Sequence, residues 1–197
     1  LRALSVIFND EKMAEKNGLD AKHRREIIKG LFLLTPVVSS TFASFNNTFK
    51  DLLNGDIGLL LIDEAGQANL TNALGALLRS KMAVVVGDPL QLEPVVTLPV
   101  SLNNAILSYC EAKDEFNLLK SSVQLRADKA QKIGTYIKGN GESIWVGSPL
   151  IVHRRCANPM FDISNETTYD DMMILGRDGA SKFANTNVQT KWIDVRS

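Results

Sequence analysis

Apolar residues recur along the 197-residue chain in two rhythms, one of period 3.6 and one of unbroken short runs. Ile27, Ile28 and Leu31 stand at helical spacing behind Asp20, whose side chain suits an N-cap. The following run, Leu31-Phe-Leu-Leu-Thr-Pro-Val-Val-Ser-Ser40, is broken by Pro36, and Val37 and Val38 read as a short buried strand. Phe42, Phe45, Phe49, Leu52 and Leu53 then line one helical face with large groups expected in a core rather than under stacked bases. Gly58-Leu-Leu-Leu-Ile62 is a continuous apolar run, as in a parallel sheet with helices over both faces. Leu70, Leu74, Leu77 and Leu78 predict a helix packed back on that sheet, and Met82-Ala-Val-Val-Val86 a second buried strand.

Strand, helix and strand in this order predict an α/β fold with a right-handed crossover, and open sheets of this kind place ligands at the carboxyl ends of their strands. Both runs end there in polar residues, so Asp63, Glu64, Gly87 and Asp88 are expected on one rim. Beyond Pro94 the text reads as helical, through Ile106, Tyr109 and Cys110 and then Ala130, Ile133 and Ile137, until Gly139-Asn-Gly141 turns the chain. A last strand over 149–153 leads into Arg154 and Arg155, and from Asp170 onward no periodicity is evident.

Composition narrows the class of protein without naming it. Hydrophobic residues at 45% and charged residues at 22% fit a globular domain and exclude wholesale disorder. Twenty-two Lys and Arg balance 22 Asp and Glu, so any polyanion site must be a local patch. The cluster Lys22, His23, Arg24 and Arg25 is open to two readings, a solvated helix face or a phosphate contact. Cys110 and Cys156 imply no disulfide framework, and His153 with Cys156 reads as a packed imidazole and a buried thiol. No apolar stretch approaches the roughly 20 residues that cross a bilayer. The chain starts at Leu1 with no signal-peptide pattern, which points to a piece of a longer polypeptide, and the two cysteines suit reduced thiols in a cytoplasmic or nuclear protein.

Asp63 and Glu64 at a strand end suit phosphoryl chemistry, in which one carboxylate helps hold Mg²⁺ and a neighbour orients and deprotonates a water. In the second polar segment, Gly87 permits close backbone approach and Asp88 organises a turn. Gln91 is an uncharged group able to bond a terminal phosphate.

Asp63-Glu-Ala-Gly-Gln67 and Gly87-Asp-Pro-Leu-Gln-Leu-Glu-Pro94 resemble motifs II and III of superfamily 1 helicases, in the branch that includes the nonsense-mediated-decay helicase. Val37-Val-Ser-Ser-Thr-Phe42 is similar to the family segment just before a nucleic-acid contact. Trp145-Val-Gly-Ser-Pro-Leu-Ile-Val-His-Arg-Arg-Cys156, with Pro159-Met-Phe161 and Tyr169, is similar to the motif IV region. The resemblance spans Val37 to Met173. It implies a RecA-like parallel sheet with flanking helices, part of a P-loop NTPase fold, with 1–147 in a first motor domain and 148–197 starting a second.

By the same resemblance ATP and Mg²⁺ are the cofactors and single-stranded DNA or RNA is the partner. Asp63 would coordinate the metal, Glu64 activate water and Gln91 sense the γ-phosphate, with Gly87 and Asp88 lining the nucleotide. Ser40 and Thr41 would meet the nucleic-acid backbone, and Arg155, or its neighbour Arg154, would reach the γ-phosphate as a forked permanent charge. Ser122-Val-Gln124 also resembles a family segment, without an evident mechanical role. The chain contains no G-x-x-x-x-G-K-[ST] sequence, whose amides and lysine cradle phosphates. The expectation is therefore a helicase or translocase fragment that turns over little ATP in isolation, the alternative being a catalytically inactive RecA-like module that binds nucleic acid or protein.

Overall fold

The computed structural model describes residues 18, 20–139 and 142–177. By packing, the chain divides into two units, Leu1–Ala127 and Asp128–Ser197, a division that falls ahead of residue 148.

The first unit opens with α1 (Ala21–Leu34), which Asp20 caps by accepting the His23 N–H, 2.8 Å. Then come α2 (Phe42–Thr48), β1 (Ile57–Ile62), α3 (Leu70–Leu78), β2 (Ser80–Val85) and α4 (Val100–Tyr109). β1 and β2 pair in parallel, with Leu59 beside Met82 and Leu61 beside Val84. One face of this two-stranded sheet builds the core. Ile28 of α1, Phe45, Phe49, Leu52 and Ala76 cluster against Ile57 and Leu60, and Ile62, Ala65, Ala73 and Val123 continue the cluster toward the strand ends. The phenylalanines are thus core residues, as their spacing predicts.

Several expectations fail in instructive ways. The other sheet face is open, with Leu61 67% and Met82 64% exposed, so the continuous apolar runs do not signify two covered faces among the described residues. Val37 and Val38 form no strand, and Val37 is 82% exposed, because no described strand pairs with them. In α3 the buried positions are Ala73 and Ala76, while Leu74 and Leu78 face outward. The small side chains allow close approach to α2, where a Cβ on Gly75 would collide with the Asn46 amide oxygen. In α4 the apolar Ile106 and Tyr109 are likewise exposed, and the buried residue is Asn103, held by the Asn117 amide, 3.0 Å.

The basic cluster of α1 divides: Lys22 and His23 are exposed, as a solvated helix face predicts, whereas Arg24 and Arg25 are engaged by carboxylates. Arg24, 4% exposed, forks onto Asp51 through Nε and Nη2 at 2.9 and 3.0 Å. Arg25 does the same with Asp56 at 2.6 and 2.7 Å. Both pairs fasten α1 to the segment that leads into β1. The Arg25 guanidinium and, after it, the Leu53 N–H hold the Asp56 carboxyl at about 2.

The helix α5 (Val123–Ala130) begins in the first unit. In the second unit the helical reading of 130–137 gives way to a hairpin, β3 (Thr135–Gly139) antiparallel to β4 (Glu142–Val146). Tyr136 and Trp145 stack edge to face across it, a pairing that favours strand over helix. Asp128 anchors the hairpin, accepting the Trp145 indole N–H at its carbonyl and the Gly147 N–H at Oδ1, both 3.0 Å. The expected turn at 139–141 lies partly outside the described residues. The last predicted strand is only β5 (Val152–His153), followed by α6 (Met160–Thr168) and β6 (Ile174–Leu175), which pairs in parallel with β5.

Candidate functional site

Two loops leave the carboxyl ends of β1 and β2 side by side, as the strand-helix-strand pattern predicts. The ladder continues past both strands, Val86 N–H to Ile62 O at 2.8 Å and Ala65 N–H to Val86 O at 2.9 Å, so Asp63 and Glu64 stand beside Gly87 and Asp88. Both carboxylates are exposed. Asp63 Oδ1 accepts the Glu64 N–H, 3.0 Å, which orients its carboxylate. Glu64 has a φ of 53°, a left-handed conformation costing a non-glycine residue of order 1–3 kcal/mol. Such a residue persists only where its surroundings fix it.

Two glycines permit that fixing. A Cβ on Gly66 would lie 2.5 Å from the Asp88 carbonyl oxygen, and one on Gly87 would lie 2.7 Å from the Gly66 nitrogen and 2.8 Å from that of Ala65. The loops therefore touch backbone to backbone, and only glycine fits on either side. Residues 121–124 hold the first loop from another direction. Gln124 N–H donates to Ala65 O at 3.1 Å, Val123 N–H to Ala68 O at 3.0 Å, and Ser122 bridges Asn69. Asn69 in turn caps α3 through the Thr71 N–H, 2.9 Å. Sequence reading finds Ser122 and Gln124 only as an unexplained resemblance, although a hydroxyl just ahead of an apolar-periodic stretch is an N-cap signal: Ser122 Oγ accepts the Leu125 N–H, 3.1 Å.

In the second loop Asp88 organises an Asx turn, with Oδ1 accepting the Leu90 N–H at 2.9 Å and Oδ2 the Gln91 amide at 2.8 Å. Gln91 is thus placed beside Asp88 with an exposed side chain. Ser40 and Thr41 lie at the start of α2, where their exposed hydroxyls share the Ser44 hydroxyl at 3.0 and 3.1 Å.

Arg154 and Arg155 belong to the second unit, where they follow β5 with exposed side chains. His153 shapes their turn: its Nε2 accepts the Cys156 backbone N–H at 2.9 Å, and its ring packs on Phe161. The Arg155 carbonyl accepts from Arg177, 3.1 Å.

Among the described residues no three His, Cys, Asp or Glu side chains gather to hold a metal. A lone oriented carboxylate such as Asp63 fits Mg²⁺ of the kind that keeps several waters and takes its remaining ligands from substrate phosphates. Residues 9–99 match the family described as an AAA domain. That stretch holds both loops, and the match supports a likeness to P-loop ATPases and helicase-like proteins, a group that typically uses nucleotide and Mg²⁺. The described α/β arrangement, parallel strands with helices on one face, is part of a P-loop NTPase-like fold. No curated protein and no solved structure matches the chain significantly.

Proposed function

We propose that the chain is part of an ATP-dependent superfamily 1 helicase or single-strand translocase, of the branch that includes the nonsense-mediated-decay helicase. The observation that carries this reading is the backbone contact between the Asp63-Glu64 loop and the Gly87-Asp88 loop within the AAA-domain match. In it, Asp63 holds Mg²⁺ beside the nucleotide. The metal, when bound, neutralises charge on the phosphate oxygens. Glu64, at the left-handed turn that follows β1, orients the attacking water and takes its proton. Gln91, beside Asp88, bonds the γ-phosphate and reports its presence to the second loop. Arg155, with Arg154 as its neighbour, supplies the guanidinium for charge spread over the transferring phosphoryl group. Ser40 and Thr41 offer hydroxyls to a nucleic-acid backbone.

A second reading, a module that binds nucleic acid or protein without turnover, is favoured by one observation, the absence of G-x-x-x-x-G-K-[ST] from the 197 residues. Steady-state ATP hydrolysis by the full-length protein separates the two. Turnover that requires Mg²⁺ and falls about 100-fold or more in Glu64→Gln supports the motor. Absence of turnover at any nucleotide concentration supports the module.

A further inference from the structure

Gln124 is only 6% exposed and belongs to no part of the proposed chemistry. Its surroundings are unusual for a polar side chain. The backbone N–H donates to Ala65 O in the first loop, 3.1 Å. The side chain reaches the second loop, where a Cβ on Gly87 would stand 3.1 Å from its Oε1. One residue therefore lies against both loops at the point where their backbones meet. Its neighbours are buried too, Ser121, Ser122 and Val123 included, so this corner excludes water. Glu64, one residue from Ala65, keeps a backbone conformation that needs support from outside the loop.

We infer that Gln124 is a positioning residue, which locks the Asp63-Glu64 loop against the Gly87-Asp88 loop and so sets where the two carboxylates and Gln91 stand. This rests on the reading of the loops as a nucleotide site, but the seam itself is a property of the fold and can be measured without nucleotide. The lock works through Ala65 and Gly87 rather than through contact with any reacting group. Loosening it changes how often the carboxylates are in register and leaves the affinity for nucleotide largely unaltered.

The test compares the wild-type protein, Gln124→Ala, the shape-retaining Gln124→Met, and Lys129→Ala at an exposed position of α5 as control. Amide hydrogen exchange is followed without nucleotide over 63–68 and 86–91, with α1 as internal reference. The expected result is about five- to tenfold faster exchange in both loops for both Gln124 variants, with α1 and the control unchanged. In the full-length protein kcat for ATP falls about tenfold in both variants, while KM stays within about twofold. Unchanged loop exchange in both Gln124 variants, or faster exchange spread equally over α1, overturns the lock. If Gln124→Ala fails to fold, Gln124→Met alone decides by the same criteria. A wild-type protein without ATP turnover sinks the motor reading, while the exchange result still decides the role of Gln124.

Discussion

At the scale of single residues, the site depends on backbone proximity as much as on side-chain chemistry. Gly66 stands so close to the Asp88 carbonyl that a methyl group there has a backbone oxygen, not a flexible side chain, to displace. Gly66→Ala is expected to lower stability by about 1–3 kcal/mol, read as a drop in the urea midpoint with the slope unchanged. Gly58, whose added Cβ meets nothing within 4 Å, is the matched control, expected to stay within about 1 kcal/mol. The candidate carboxylates were legible in the sequence because an apolar strand that stops at Asp-Glu sets two carboxylates on the rim where open parallel sheets bind their ligands. The contribution of Gln124 was not legible. Its two contacts lie far away in the chain, at Ala65 and Gly87, and no local period encodes them.

At the scale of elements, α1 is fastened by charge as well as by Ile28. Arg24 and Asp51 are both nearly buried, so removing one leaves the other without its forked partner. Arg24→Ala is expected to cost about 3–5 kcal/mol, measured by chemical denaturation. The companion pair, Arg25 with Asp56, adds a pH dependence. Arg25 and the Leu53 N–H hold the Asp56 carboxyl at about 2 against an ordinary 3.8. A carboxylate depressed by folding stabilises fully above its unfolded value and loses that contribution as pH falls through the folded one. The difference in urea midpoint between wild type and Asp56→Asn should therefore be constant above about pH 5 and shrink between about pH 4 and pH 2. A difference that grows on acidification contradicts this assignment.

Element types were readable where the apolar rhythm was strong and misread where partners decide. Leu70 to Leu78 form the expected helix, with Leu70 and Leu77 packed against the core, but its fully buried positions are Ala73 and Ala76, where the tight approach of α2 selects small side chains, and Leu74 and Leu78 face outward. The stretch 130–137 carries a helical spacing but folds partly as β3, since Trp145 and Tyr136 pair across the hairpin and Asp128 ties it down. Among the described residues no strand pairs with Val37 and Val38, and β propensity alone does not make them one.

For the molecule as a whole, the parallel pair β1–β2 carries a covered face and an open one, and the carboxyl ends of both strands present the two loops. In the proposed function these loops turn over nucleotide in step with a nucleic-acid strand. The most direct measurement is steady-state ATP hydrolysis by the full-length protein, with and without single-stranded DNA or RNA, alongside Glu64→Gln. The expected result is Mg²⁺-dependent turnover that rises several-fold with one of the two polymers and falls about 100-fold or more in the variant. Turnover indifferent to both polymers, or equal in Glu64→Gln and wild type, contradicts it.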